Sequence, residues 1–120
     1  MKTYVSSDLS GLSNTDLRHT KLYDADLTGI DLSNIDLSNT DMHGSDLSNA
    51  NLSGANLHGV NLHNANLYGA DLAYTNLSNV DLTGANLEGT KLRGVQYNDN
   101  TRIDEQYKDL LYTNNPINSN

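Results

Sequence analysis

Ala-Asn-Leu-Ser-Gly-Ala-Asn-Leu-His-Gly-Val-Asn-Leu-His-Asn, residues 50 to 64, is three turns of one five-residue pattern. A small or β-branched residue comes first, Asn or Asp second and Leu third, and a polar or small pair closes the unit. Followed outward in both directions, the phase holds from position 12 to position 92: all 17 in-phase positions are Leu except Met42. No Leu in that range falls out of phase. An internal repeat of this strictness decides the architecture before composition does.

A period of five advances each Leu by about 140° around an α-helix, which scatters the leucines and buries none of them. A plain strand fails too, because an odd period sends successive leucines to opposite faces. A turn must therefore separate the units. It is legible two residues after each Leu, where Gly fills 8 of the 18 positions from 14 to 99 and Asn fills 6. Those are the residues that accept positive φ at the third position of a type II turn. Each pentad then reads as a three-residue strand pointing in, out and in, followed by a corner, and the corner rule implies that Asn can replace Gly without penalty at a position such as Gly54. The chain coils, and parallel rungs stack about 4.8 Å apart. The fold class is all-β, a parallel solenoid.

Units such as Ala-Asn-Leu-Ser-Gly (50 to 54), Ala-Asn-Leu-Tyr-Gly (65 to 69) and Ala-Asn-Leu-Glu-Gly (85 to 89) resemble the pentapeptide repeat family, over positions 10 to 97. The resemblance implies a right-handed quadrilateral β-helix with four pentads per coil, so that residues 20 apart stack. It also allows an end-to-end homodimer through a C-terminal helix as the alternative to a monomer.

The expected divisions are an N-terminal cap over 1–11, where Tyr4, Val5 and Leu9 break phase, and a repeat body over 12–99. A C-terminal capping α-helix follows over 100–112 and a flexible tail over 113–120. Ile103, Tyr107, Leu110 and Leu111 recur at helical spacing behind Thr101, which reads as the N-cap with Asp104 three residues on.

The chain of 120 residues carries 15 acidic and 7 basic side chains and no Cys. A disulfide framework and a thiolate metal site are excluded. The negative balance argues against nucleic acid and anionic membrane as direct partners and allows a protein with a basic surface. No stretch approaches the ~20 apolar residues of a membrane span, and Met1 is followed by Lys2 and a polar run, so a cytoplasmic location is expected.

The pattern contains no nucleophile and base pair, no phosphate-cradling loop and no metal motif of known spacing, so neither an enzyme nor a cofactor is expected. Tyr23, His43 and His63 form a column 20 residues apart with Asp41 beside it; this reads as a solvated ladder before a divalent-metal site, because structural zinc takes four ligands. His19 and His58 fall at other corners. Residues 22 to 90 hold 9 acidic side chains and no Lys or Arg, and Asp26, Asp31, Asp36, Asp41 and Asp46 fall on successive sides as a collar. Together with Tyr68 and Tyr74 they are the candidate interaction surface. Tyr74 occupies a corner position where positive φ would strain it, so another turn type is expected there, with the ring lying between Gly54 and Gly94. The function these readings support is a non-enzymatic scaffold or interaction module for a protein partner. The resemblance to the quinolone-resistance branch, whose members mimic duplex DNA and act on DNA gyrase, supplies the alternative.

Overall fold

The computed structural model describes residues 17–114, with backbone only for 113 and 114. Parallel β-bridges join the outward residue of each pentad to its equivalent one coil on: Asp26 to Asp46, Asp46 to Asn66, Asn51 to Asp71, and so on around the body. The offset is 20 residues, four pentads, until the last bridge, Asp81 to Arg102, where it becomes 21. Each pentad ends in a corner, so a coil has four sides.

All 16 corner residues from His19 to Gly94 have positive φ, between +57° at Asp24 and +76° at Gly84. At 15 of these corners the carbonyl of the centre residue, Met42 included, accepts from the N–H three residues on, as in Ala55 N to Leu52 O at 3.0 Å. This is the type II pattern. The corner explains why the expected three-residue strands contract to a single bridged residue per pentad. The turn consumes the Leu carbonyl and the N–H of the next small residue, which leaves only the outward residue with both of its backbone groups free for the ladder. Asn66 shows the arrangement: its N–H donates to Ser45 O at 2.9 Å and its carbonyl accepts from Leu47 N at 2.7 Å, both one coil below.

Inside, the Leu columns and the small or β-branched columns form one apolar cluster. Leu27, Leu47, Leu67 and Leu87 stack on one side, each 0% exposed. Threonines at inward positions keep their hydroxyls bonded: the buried Thr75 donates to Leu72 O at 2.8 Å and the half-buried Thr90 to Leu67 O at 2.7 Å. Ser45, equally buried, finds no partner for its hydroxyl.

The C-terminal end departs from the reading of the sequence. Tyr97 takes a centre position, and one extra residue in Asn98-Asp99-Asn100 precedes the first four residues of a further pentad, Thr101 to Asp104. Thr101 is an inward rung residue whose hydroxyl donates to Leu77 O at 2.7 Å, so it does not cap a helix. The extra residue shifts Ile103 into the place of the next centre, which the helical reading of 101–112 concealed. The helical segment starts later, as a 3-10 turn over Glu105–Tyr107 that continues into helix α1, Lys108–Asn114, with Asp104 at the cap. Tyr107 and Leu111 are buried in the apolar cluster, over the last coil. Residues 113 and 114, read as tail, end this helix; the cap over 1–11 and the rest of the tail lie outside the described residues. No helix among the described residues is long and apolar enough to cross a membrane.

Candidate interaction surface

The collar carboxylates are placed by their own corners. Oδ1 of Asp31 accepts from the N–H of Ser33 at 3.0 Å and from its hydroxyl at 2.7 Å. Asp36 with Ser38 and Asp46 with Ser48 repeat both bonds, and Asp26 does so with Thr28. Asp41 is held instead by His43, through the backbone N–H at 3.2 Å and through Nδ1 at 2.7 Å. The Asn residues one coil on, such as Asn51 and Asn66, make the same bond to the N–H two residues later. Hydrogen bonding from Ser33 lowers the Asp31 pKa below its ordinary 3.8, the hydroxyl counting for more than the N–H, and Ser48 does the same for Asp46. At Asp81 burial pushes the pKa up, and the Thr83 hydroxyl and N–H, with Arg102 and His63, outweigh it and bring it down.

All five collar residues lie outward, but the sides they occupy are not uniformly negative. Up one side the outward residues run Lys21, Asp41, Asn61, Asp81, Arg102; up another they run Asp31, Asn51, Asp71, Lys91. The basic residues past position 90 thus return to the same ladders as the acids. This alternation follows from the 20-residue offset and the one-residue insertion, and the linear charge count did not reveal it.

The column at Tyr23 is an aromatic stack, its ring lying 5.3 Å from that of His43 at an interplanar angle of 6°. His63 turns its Nδ1 to Thr83 Oγ1, 2.8 Å away and one coil on. Among the described residues no group of three or more His, Asp or Glu side chains could hold a metal ion. The imidazoles are engaged separately, one with a carboxylate and one with a hydroxyl.

Tyr68 and Tyr74 are 53% and 60% exposed. They stand at opposite ends of one side, the rung Ala70-Asp71-Leu72, and are not in ring contact with each other. The expectation of a different turn at Tyr74 is overturned: its φ is +63°, like its neighbours. The ladder bond from Tyr74 N to Arg93 O, 2.8 Å, fixes the corner. The ring lies over Gly94, where an added Cβ would come within 2.5 Å of Tyr74 Cδ1. Gly54 on the other side is covered by Asn34 instead.

Comparison with known proteins agrees with this geometry. The family model for pentapeptide repeats matches eight copies, over residues 12–34, 30–67 and 61–95. Rfr23, a pentapeptide repeat protein from the cyanobacterium Cyanothece 51142, is 47% identical with a TM-score of 0.76, over 77% of this chain and 63% of that one. A pentapeptide repeat protein from the Arabidopsis thaliana thylakoid lumen is 34% identical with a TM-score of 0.54, over 66% of this chain and 58% of that one. The chain therefore spans less than two thirds of either structure. QnrB1, a plasmid-mediated fluoroquinolone resistance protein, is 20% identical with a TM-score of 0.31, over 85% of this chain and 66% of that one, which is too slight to bear on activity. A search of the curated proteins finds no match. These relatives imply a right-handed, four-sided β-helix, and with the matched repeats reaching from residue 12 to residue 95, the chain belongs to the pentapeptide repeat family.

Proposed function

We propose that this protein is a non-enzymatic, cytoplasmic interaction module whose rigid acidic sides dock a protein partner with a basic surface. One observation carries the reading: each collar carboxylate is tied through Oδ1 to the backbone N–H two residues on, in the same way at Asp26, Asp31, Asp36, Asp41 and Asp46. Charges fixed in this way lose little rotamer freedom on binding, so more of the electrostatic attraction survives as affinity. Tyr68 and Tyr74 add exposed aromatic area of the kind that dominates binding energy at protein interfaces. The test is a quantitative pull-down from native cell extract at two salt concentrations. The intact chain is set against a variant with the five collar residues changed to Asn, which keeps the corner bonds and removes the charge. A partner retained by the intact chain, weakened by salt and lost with the variant supports the proposal. Equal retention by both overturns it.

The gyrase-directed alternative fits the surface less well. A mimic of duplex DNA needs continuous negative charge along its length, and here two ladders end in Lys91 and Arg102 and one begins in Lys21. Inhibition of gyrase supercoiling by this protein, and not by an unrelated protein of equal charge, would reverse that preference.

A further inference from the structure

We infer that the side carrying Asp31, Asn51, Asp71 and Lys91 is a self-association surface, on which a second copy of this chain docks face to face with its solenoid axis reversed. The ladder fixes the order of these four outward residues, one per coil. Along the axis their charges run negative, neutral, negative, positive. A two-fold rotation between the levels of Asn51 and Asp71 reverses that order, so Asp31 of each copy meets Lys91 of the other and Asn51 meets Asp71. One patch then complements itself, as a symmetric dimer requires. The rungs stand about 4.8 Å apart in both copies, so matching one pair matches all four. Parallel docking in the same register would set Asp31 on Asp31 and Lys91 on Lys91.

The groups that the fold leaves over suit these contacts. Asn51 and Asp71 each use Oδ1 at their own corner, accepting from Ser53 N–H at 3.0 Å and from Ala73 N–H at 2.9 Å. Asn51 Nδ2 and Asp71 Oδ2 then supply the donor and the acceptor across the axis. Lys91 and Arg93 are exposed, and neither is in an ion pair among the described residues. Arg93, two residues along the rung from Lys91, adds a second cation toward Asp31 of the other copy. The same side is bounded by Tyr68 and Tyr74, two of the three exposed large hydrophobic side chains among the described residues, at the ends of the rung Ala70-Asp71-Leu72. The rotation brings that rung opposite Ala50-Asn51-Leu52, whose ends are Ser48 and Gly54. Each ring therefore comes to a small residue, and aromatic burial flanks the charge pairs.

The other sides lack this pattern. Those led by Asp26 and Asp36 carry no cation at the outward ladder position, and the side led by Lys21, at full overlap, sets Lys21 on Arg102 and Asp41 on Asp81. Four rungs on a body of 38 × 25 × 22 Å cover about 400 Å² of each copy, the size of a weak, reversible pair and not of a permanent dimer. This inference is independent of the reading in which the acidic collar docks a basic partner: it uses one side, and the occupant is the chain itself.

Sedimentation equilibrium of the full chain tests it, from about 1 μM to about 1 mM protein and at about 20 mM and about 0.5 M salt. The native chain should pass from its 13.1 kDa monomer toward twice that mass as concentration rises, and less so at high salt. Asp31→Lys and Lys91→Glu, each alone, place like charges at both ends of the interface and should raise the dissociation constant by about tenfold or more. Mixed in equal amounts, the two variants regain opposite charges at both ends of a mixed dimer and should associate about as tightly as the native chain, a recovery that misfolded variants could not give. Native protein that stays monomeric at low salt and the highest concentration overturns the proposal. So does a dimer that survives unchanged in each variant alone, which would put the contact elsewhere, at the C-terminal end for example. A mixture that associates no better than its components overturns it as well.

Discussion

Asn34 sends its side chain along the solenoid axis into the space that a Cβ of Gly54, one coil on, would occupy. Asp24 stands in the same relation to Gly44, Asn39 to Gly59, Asn49 to Gly69, Asn64 to Gly84 and Tyr74 to Gly94. In each of these six pairs a corner residue with a side chain is followed, 20 residues later, by one without. Both members of each pair have positive φ, so backbone conformation permits Asn at either; the axial contact is what forbids it at the second.

Gly54→Asn should therefore not be silent, contrary to what turn preference alone predicts. We expect a loss of about 1 to 2 kcal/mol, the range for a core or corner overpacked by a side chain. Asn34→Gly in the same chain should recover most of it. A double-mutant cycle by urea denaturation measures the coupling, and additive losses would show that the two corners do not meet.

Leu57→Ala, in the central coil and 0% exposed, should cost about 2 to 5 kcal/mol through the cavity it leaves. Leu110→Ala should cost less, because Leu110 is only partly buried beside the last coil. Equal losses would contradict the placement of α1 as a peripheral element.

Ser45→Ala removes a buried hydroxyl that has no hydrogen-bond partner, so it should stabilise the fold by about 1 kcal/mol. The other coils hold Ala25, Ala65 and Ala85 at the equivalent position on the same side, each buried, which shows that the smaller side chain fits. A lowered melting temperature would refute this.

Asp31, Asp46 and Asp81 all have folded-state pKa values below the ordinary 3.8. A depressed carboxylate pKa contributes stability that is fully present above the unfolded value and is lost as pH falls through the folded one. The acid limb of the stability profile should accordingly lie at and below about pH 4. Asp46→Asn keeps an Oδ1 acceptor for Ser48 and should flatten that limb while changing stability near pH 7 little. An unchanged acid limb in the Asp31, Asp46 and Asp81 triple Asn variant would count against these shifts.

Tyr74→Asn should hold or raise stability, by up to about 1 kcal/mol, because a bulky residue at positive φ is strained and Asn is not. It should at the same time weaken partner capture. A loss of stability would mean that the ring over Gly94 contributes more than the strain costs.

The body of the fold was legible in the sequence for a physical reason: Leu22 through Leu92 each make the same burial in the same local frame, so a single period encodes side, depth and corner. Asp31 and Ser33 were legible in the same way, as a carboxylate two residues before a hydroxyl at a turn. What escaped was anything set by contact between coils. The φ of Tyr74 is imposed by its ladder bond to Arg93, and the extra residue at Asn98-Asp99-Asn100 hides Ile103 from a period of five. The mixed charge of Lys21, Asp41, Asp81 and Arg102 exists only once the coils are stacked. The point at which the chain leaves the ladder, Glu105, was invisible because Gln106 and Tyr107 satisfy a helical pattern and a capping one equally well.

The axial pairing at the corners also constrains how such a chain can lengthen. Asn34, Gly54, Tyr74 and Gly94 repeat their bulky and bare states over two coils, and Asp24, Gly44, Asn64 and Gly84 do the same on another edge. Tandem duplication of one pentad preserves the Leu phase but rotates every later corner onto a new edge, and duplication of one coil preserves the edge but sets like against like. On these two edges a copied segment keeps the alternation only if it spans forty residues, two full coils, eight times the length of the five-residue repeat.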